Sequence, residues 1–188
     1  MDSANVLSAV IESSRRPELE MDMIIRNEKD SDVQAIFDVT KAAFEKHPIS
    51  NHTEQFIIQA LRAANALSVS LVAELDGKVV GHIAFSPVTI SDGSRQWYGL
   101  GPISVLPEYQ KQGIGKALVH EGLSRLKARA AKGCVLVGDP DYYERFGFRS
   151  LPQLTHEGVP QENVLVLPFG ENSAHGVVVF HQSFSATA

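Results

Sequence analysis

The sequence predicts a mixed α/β (α+β) domain. A central, mostly antiparallel sheet of about six to seven strands is split between its fourth and fifth strands and flanked by helices. Three observations predict it. Hydrophobic periods run in the order strand, two helices, three strands, helix, strand, short helix and further strands, which puts helices on both faces of one sheet. The pair Asp76-Gly77 between two apolar runs is a strong two-residue hairpin signal and starts an antiparallel meander. Finally, Gly101-Pro102 falls inside a strand that reads as central. Proline lacks a ladder N–H, so such a strand must bulge or part from its neighbour.

Each element follows in turn. Residues 1–22 hold one apolar cluster (Val6, Leu7, Val10, Ile11) and then Arg15-Arg16-Pro17. They read as an N-terminal extension, an appended helix or a loose tail, ahead of a domain over residues 23–188. Met21 and Met23 also fit a later start of translation. Residues 23–26 form a short strand. Asp30 or Ser31 caps a helix whose Val33, Ile36, Phe37, Thr40 and Phe44 recur at helical spacing, and Pro48 closes it. A second helix spans about residues 53–66, with Phe56, Ile57, Ala60 and Leu61 on its inner face. The period then changes to strands over residues 68–75, 78–90 and 96–105. Leu118, Val119, Gly122, Leu123 and Leu126 mark the buried face of a third helix, with Gly133 as its C′ residue. Residues 134–137 are uninterruptedly apolar, as a sheet centre requires. Residues 140–146 form one short helix and Phe148 starts an edge strand. Residues 164–167 and 177–180 suggest a closing strand pair, and an exposed pair of that kind suits a homodimer.

Bulk properties narrow the function. The chain has 188 residues, 44% apolar and 21% charged, enough for one domain with a real core. No apolar stretch reaches the roughly 18 residues of a membrane span, and the first 22 residues lack the pattern of a secretory signal. A cytoplasmic protein without membrane contact is expected. The single Cys134 excludes an internal disulfide and a cysteine metal site, and it reads as a buried thiol. No metal is expected. Net charge is −5, of which residues 1–22 carry −3. The remaining near-neutral domain offers no nucleic-acid surface.

The stretch Gln110-Lys111-Gln112-Gly113-Ile114-Gly115-Lys116 carries the chemistry. It is not a Walker A loop, because Gln110 stands where the first glycine belongs and Ala117 where Ser or Thr belongs. It is not a dinucleotide fingerprint either, because Leu118 replaces the third glycine. A strand, a turn with Pro107 and two glycines opening a helix present backbone N–H groups at the positive end of the helix dipole. That suits a pyrophosphate without magnesium, with Gln110 and Lys111 adding a donor and a cation. The alternative is a plain strand-to-helix turn. The strand before it tips the balance. If residues 133–138 diverge at Pro102, Ile103, Ser104 and Val105 have free backbone groups on which an extended amide ligand can pair. A pantetheine arm ending in a pyrophosphate satisfies both features, which points to coenzyme A.

Residues 100–119, Leu-Gly-Pro-Ile-Ser-Val-Leu-Pro-Glu-Tyr-Gln-Lys-Gln-Gly-Ile-Gly-Lys-Ala-Leu-Val, resemble the acyl-CoA-binding motif of the GNAT (GCN5-related) N-acetyltransferase superfamily. Its form V-x-P-x-x-[RQ]-x-x-G-x-[GA] is filled at every fixed position. Tyr142-Tyr143-Glu144-Arg145-Phe146-Gly147-Phe148 is similar to the family's Y-x-x-x-G-F segment, and Gly138-Asp139-Pro140 resembles the YhbS-like bacterial branch. The resemblance covers residues 23–148; the last 40 residues match less clearly. It implies the acyl-CoA N-acyltransferase fold, acetyl-CoA as cofactor, and direct attack of an amine on the thioester. The cofactor contacts it implies are Ile103, Ser104, Val105, Gln110, Lys111, Gln112, Gly113, Ile114, Gly115 and Lys116.

By the same resemblance Tyr143, four residues before Gly147, is the proton donor to the departing thiolate, while Tyr142 reads as core. A backbone N–H at or near Ile103 is the expected oxyanion donor. An amine near pKa 10.4 also needs a proton acceptor, yet residues 99–105 hold no carboxylate. His47, His52, Glu54 and Glu74 are the candidates elsewhere; His82 reads as a strand residue without a chemical role. Asp139 either binds the acceptor ammonium or caps the following helix. Residues 156–163 form a lid or a surface loop. The expected acceptor is a small primary amine. A protein N-terminus or lysine, a charged tRNA, and a non-catalytic acyl-CoA sensor remain alternatives.

Overall fold

The computed structural model describes residues 22–48, 50–171 and 173–187, so the expected N-terminal extension lies outside the described residues except for Asp22. The chain begins with β1 (Met23–Asn27), a 3-10 turn, α1 (Val33–Phe44) and α2 (Glu54–Ala63). The meander follows as β2 (Val69–Leu75), β3 (Lys78–Pro87), the short β4 (Thr89–Ile90) and β5 (Trp97–Val105). Next come α3 (Ile114–Ala128), β6 (Gly133–Val137) and the single turn α4 (Pro140–Tyr143). The chain closes with β7 (Arg149–Ser150), β8 (Leu154–Thr155), β9 (Val164–Pro168) and β10 (Gly176–Val179). Seven strands make the main sheet in the order β1-β2-β3-β5-β6-β9-β7, and β4-β10-β8 form a smaller one.

Local chemistry explains the meander. Asp76 and Gly77 both adopt positive φ, +48° and +80°, the pairing a tight hairpin with the right twist needs. The return strand expected over residues 78–90 breaks after Pro87. Thr89 and Ile90 leave the main sheet and pair with β10 instead. On β5 one extra residue is inserted, since Ile83 faces Ile103 but Phe85 faces Leu100. This bulge contains Gly101 and Pro102, which are joined by a cis peptide. The parallel β5–β6 pairing covers only Trp97, Tyr98 and Gly99. Beyond Gly99 the two strands part, and these are the fourth and fifth strands of the sheet.

Packing decided what periodicity left open. Helix α3 lies on one face of the sheet, with Leu118, Val119, Leu123 and Leu126 buried against Ile83 and Phe85. Helices α1 and α2 and the small sheet cover the other face. On α2 the buried stripe is Ile57, Ile58 and Leu61, whereas Phe56 stays half-buried and meets Phe37 edge-on at 5.9 Å. The inner face is therefore rotated from the expected one, because Ile58 fills the space between Ile36 and Val72. Gly133 is not a helix C′ residue. Ala130 takes the left-handed conformation after α3 (φ +57°), and the Trp97 ring occupies the place a Cβ on Gly133 would need.

The expected closing pair does not form. β9 inserts between β6 and β7, while β10 joins the small sheet. The reason lies in burial. Val164, Leu165 and Val166 are all buried and suit a sheet interior, but Val177 and Val179 are exposed around buried Val178, which suits a one-sided sheet. β9 and β10 therefore offer no exposed strand pair on which a homodimer could form.

Charged side chains tie β1 and α2 to the meander. Arg26 donates to Asp32 at 2.6 and 3.0 Å and to Glu74 at 2.7 Å. Arg62 of α2 grips Glu28 with two bonds of 2.9 Å. Burial pushes the Glu28 carboxyl up, but His82, Arg62 and Ser70 outweigh it and hold the group well below the carboxylate range. Arg26 does the same for Asp32. Both folded values thus lie beneath the unfolded ones. The stability they contribute is complete above the ordinary value of 4.5 for Glu28, and it is lost as pH falls through the depressed folded value. A Glu28→Gln chain should melt lower at pH 7. A loss of about 2 kcal/mol for a hydrogen bond to a charge corresponds to about 4–8 °C in a chain of this size. That gap should narrow in melts recorded at successively lower pH below 4.5; a gap that stays constant with pH would contradict the linkage.

Candidate active site

Where β5 and β6 part, the next segment of chain supplies an anion cradle. A 3-10 turn over Pro107–Tyr109 follows β5. Lys111 and Gly113 then take left-handed φ of +62° and +86°, an alternation that turns successive N–H groups into one concavity. Gly113 is the residue before the first turn of α3 and caps it with no side chain. The first N–H groups of α3 are therefore without intrahelical partners and sit at the positive end of its dipole. A Cβ on Gly113 would meet nothing within 4 Å, so its backbone conformation selects glycine there. A Cβ on Gly115 would lie 3.1 Å from the Tyr142 hydroxyl, so crowding selects glycine at that position.

These groups face a cleft of about 550 Å³, within the range of small-ligand sites. Of the residues expected to hold a cofactor, Ile103, Ser104, Val105, Gln110, Lys111, Gly113, Gly115 and Lys116 line it. Gln112 and Ile114 do not. The Gln112 amide donates to the Glu108 carbonyl at 3.1 Å, and Ile114 is buried in the core. Gln110 also turns inward, its amide donating to the Val105 carbonyl at 3.0 Å. It fastens the loop to the end of β5, a role the sequence did not suggest. Three further lining residues went unassigned as site residues: Tyr109, Tyr142 and Arg145. The Arg145 guanidinium lies 4.8 Å over the Tyr142 ring and brings a third cation to the cleft. The available signal was spacing, a cation three residues after an aromatic on a helical turn. Tyr142, read from sequence as core, is half-buried and lines the cleft.

Tyr143 is not among the residues that line the cleft and packs deeper in the protein. Its ring meets Tyr142 edge-on at 4.9 Å and Phe148 at 5.9 Å, and its edge lies 2.7 Å from where a Gly138 Cβ would be. Burial, then the neighbouring Tyr142 and Cys134, push its phenol above the usual value. Such a group stays protonated throughout the neutral range and can serve only as a proton donor there. Cys134 is fully buried, and burial raises its thiol likewise.

None of the other candidates lines the cleft. Asp139 caps α4, its carboxylate accepting from the Asp141 N–H at 3.0 Å. Glu74 is bound to Arg26 across β1 and β2. His47 is exposed and rests against Phe44, and His52 pairs through Nδ1 with the Phe44 carbonyl at 2.9 Å. Glu54 accepts from the Ser50 hydroxyl at 2.6 Å. His82 is fully buried within a polar cluster. Among the described residues no group of three or more His, Cys, Asp or Glu is placed to hold a metal, and no helix is long and apolar enough to cross a membrane.

Comparison with known proteins agrees with this geometry. Residues 33–148 match the family model for the acetyltransferase (GNAT) family. The chain is 37% identical over 127 residues to the uncharacterized N-acetyltransferase YhbS of Escherichia coli K12, covering 67% of this chain and 73% of that protein. It resembles the crystal structure of a GNAT family acetyltransferase from Brucella melitensis in complex with acetyl-CoA. That likeness has a TM-score of 0.78 and 48% identity over 87% of this chain and 99% of the other. The crystal structure of YhbS from Escherichia coli in complex with CoA superimposes with a TM-score of 0.83 at 30% identity, over 92% of this chain and 97% of that one.

Proposed function

Because this chain belongs to the GNAT family of acetyltransferases, we propose that it transfers the acetyl group of acetyl-CoA to the primary amine of a small acceptor, by direct attack with both reactants bound. One observation carries the reading. The free edge of β5 beyond Gly99 opens directly onto the N–H groups of Gly113 to Gly115. A pantetheine arm pairs with the edge, and its pyrophosphate reaches the loop. The solved relatives of Brucella and Escherichia coli in complex with acetyl-CoA and CoA support it.

The thioester supplies an activated acyl carbon and a good leaving group. The residues of this chain do the rest. The cleft holds the two reactants together, which alone lowers the barrier substantially. A backbone N–H at or near Ile103 polarises the carbonyl. Tyr143, kept protonated by burial, gives a proton to the departing sulfur. Lys111, Lys116 and Arg145 neutralise the phosphates.

Calorimetry with acetyl-CoA and thiol release with a panel of small primary amines test the reading. Binding with release for at least one amine is expected. Binding without release for every small amine, protein N-terminus and lysine peptide would favour the acyl-CoA sensor instead, and no binding would end the proposal. Lys116→Gln should weaken acetyl-CoA binding by about fivefold, the equivalent of about 1 kcal/mol for an exposed cation near an anion, with a smaller effect at high salt. A loss independent of salt would argue that Lys116 acts through packing.

A further inference from the structure

A buried polar cluster runs under α1 on one face of the sheet, from the cleft toward the β1 side. Ser104 lines the cleft, and its hydroxyl lies 3.2 Å from that of Thr40 on α1, with either oxygen able to donate. Opposite Ser104 on β3 stands His82. Facing residues of an antiparallel pair share a side of the sheet and bring their Cβ atoms to about 4.5–5.5 Å. His82 Nε2 lies 2.8 Å from the Ser70 hydroxyl, which donates its proton to Glu28 Oε2 at 2.6 Å. A hydroxyl has one hydrogen. Ser70 therefore accepts from His82, and Nε2 must carry the ring proton. Nδ1 is then a bare lone pair. It is fully buried and makes no hydrogen bond, an arrangement that costs stability unless it has a use.

We propose that His82 receives the proton released by the acceptor amine through the hydroxyl of Ser104, which turns from Thr40 toward Nδ1 to deliver it, and that Glu28 stabilises the resulting imidazolium. The inference rests on the N-acetyltransferase reading and supplies the proton acceptor that reading lacks. As the amine nitrogen forms its C–N bond, the C–S bond breaks and the thiolate takes the Tyr143 proton. The proton left on nitrogen passes to Ser104, and the hydroxyl proton it displaces moves to His82 Nδ1. One proton given up to solvent by His82 and one taken by Tyr143 restore the chain. The charges facing His82 are Glu28 between β1 and α1, Arg62 on α2 and Asp32 before α1. Glu28 lies 3.6 Å from Nε2 with its side chain 18% exposed, so the path ends at solvent. Burial chiefly, against the pull of Glu28, keeps the ring below its usual value and hence neutral before each turnover.

His82→Gln and Ser104→Ala test this. For His82→Gln, kcat should fall about 100-fold, in the range of lost general-base catalysis, with the KM for acetyl-CoA unchanged. The acid-side limb of the kcat–pH profile should also disappear. Ser104→Ala, which keeps the imidazole and Glu28, should lower kcat about tenfold and the melting temperature by only about 2–4 °C, for one lost buried hydrogen bond. Parental kcat in either variant, or a fall with the acid limb intact in His82→Gln, overturns the relay. Should His82→Gln fail to fold, nitrogen-15 NMR of the parent at pH 7 decides with Ser104→Ala. Protonated Nε2 with bare Nδ1 is required, and the other tautomer or a charged ring refutes it. A parent chain inactive with every amine removes the transferase reading and the relay together; an active parent with unimpaired variants removes the relay alone.

Discussion

A Tyr143→Phe chain should bind acetyl-CoA within about twofold of the parent yet turn over about 100-fold more slowly at saturating cofactor, the loss expected for a missing general acid. The substitution deletes one oxygen. The ring contacts with Tyr142, Phe148 and Gly138 do not involve that oxygen, and the hydroxyl has no hydrogen-bond partner among the described residues. Stability should therefore change little. Steady-state kinetics, calorimetry and thermal melting on one preparation separate the three quantities. Tyr142→Phe is the matched control. Its hydroxyl lies beside Gly115 at the start of α3, so its removal should alter cofactor affinity and not kcat. If instead Tyr142→Phe slows turnover and Tyr143→Phe does not, the roles belong the other way round.

Valine at Gly122 should cost about 3 kcal/mol or more of stability, at the upper end for an overpacked core. In an exposed helix, replacing glycine is favourable by about 1 kcal/mol on backbone grounds. Here the sign reverses. A Cβ on Gly122 would overlap the Phe85 ring, and Phe85 is fully buried on β3. Phe85 is hemmed in by Leu118, Leu123 and Leu126 of the same helix, so α3 must move off the sheet. Its N-terminus bears the anion cradle, and that displacement would also weaken acetyl-CoA binding. The melting temperature should fall by about 6–12 °C for a chain of this length, read by thermal unfolding with and without acetyl-CoA. A rise instead would mean that the contact between α3 and β3 is loose enough to yield to helix propensity.

Sequence by itself determined what depends on neighbours along the chain. Asp76-Gly77 set its hairpin because two adjacent residues take positive φ. The buried face of α3 followed from 3.6-residue spacing, and the cradle from glycines placed ahead of the first turn of that helix. Gly101-Pro102 announced the break in β5 because a missing N–H is a property of one residue.

Tertiary structure alone decided which distant segments meet. β9 and β10 are equally apolar, and only the packing around them sent one to the sheet interior and the other to a separate small sheet. Tyr142 and Tyr143 differ by a single helical step, yet one lines the cleft and the other packs deeper. The cluster of Glu28, Arg62, Ser70 and His82 joins α2, β2 and β3 to the connection after β1. Its hydrogen-bonded pairs are separated by 12 to 42 residues, and no local period records such a meeting. Side chains that far apart become neighbours only when burial of the apolar surface around them fixes the sheet order.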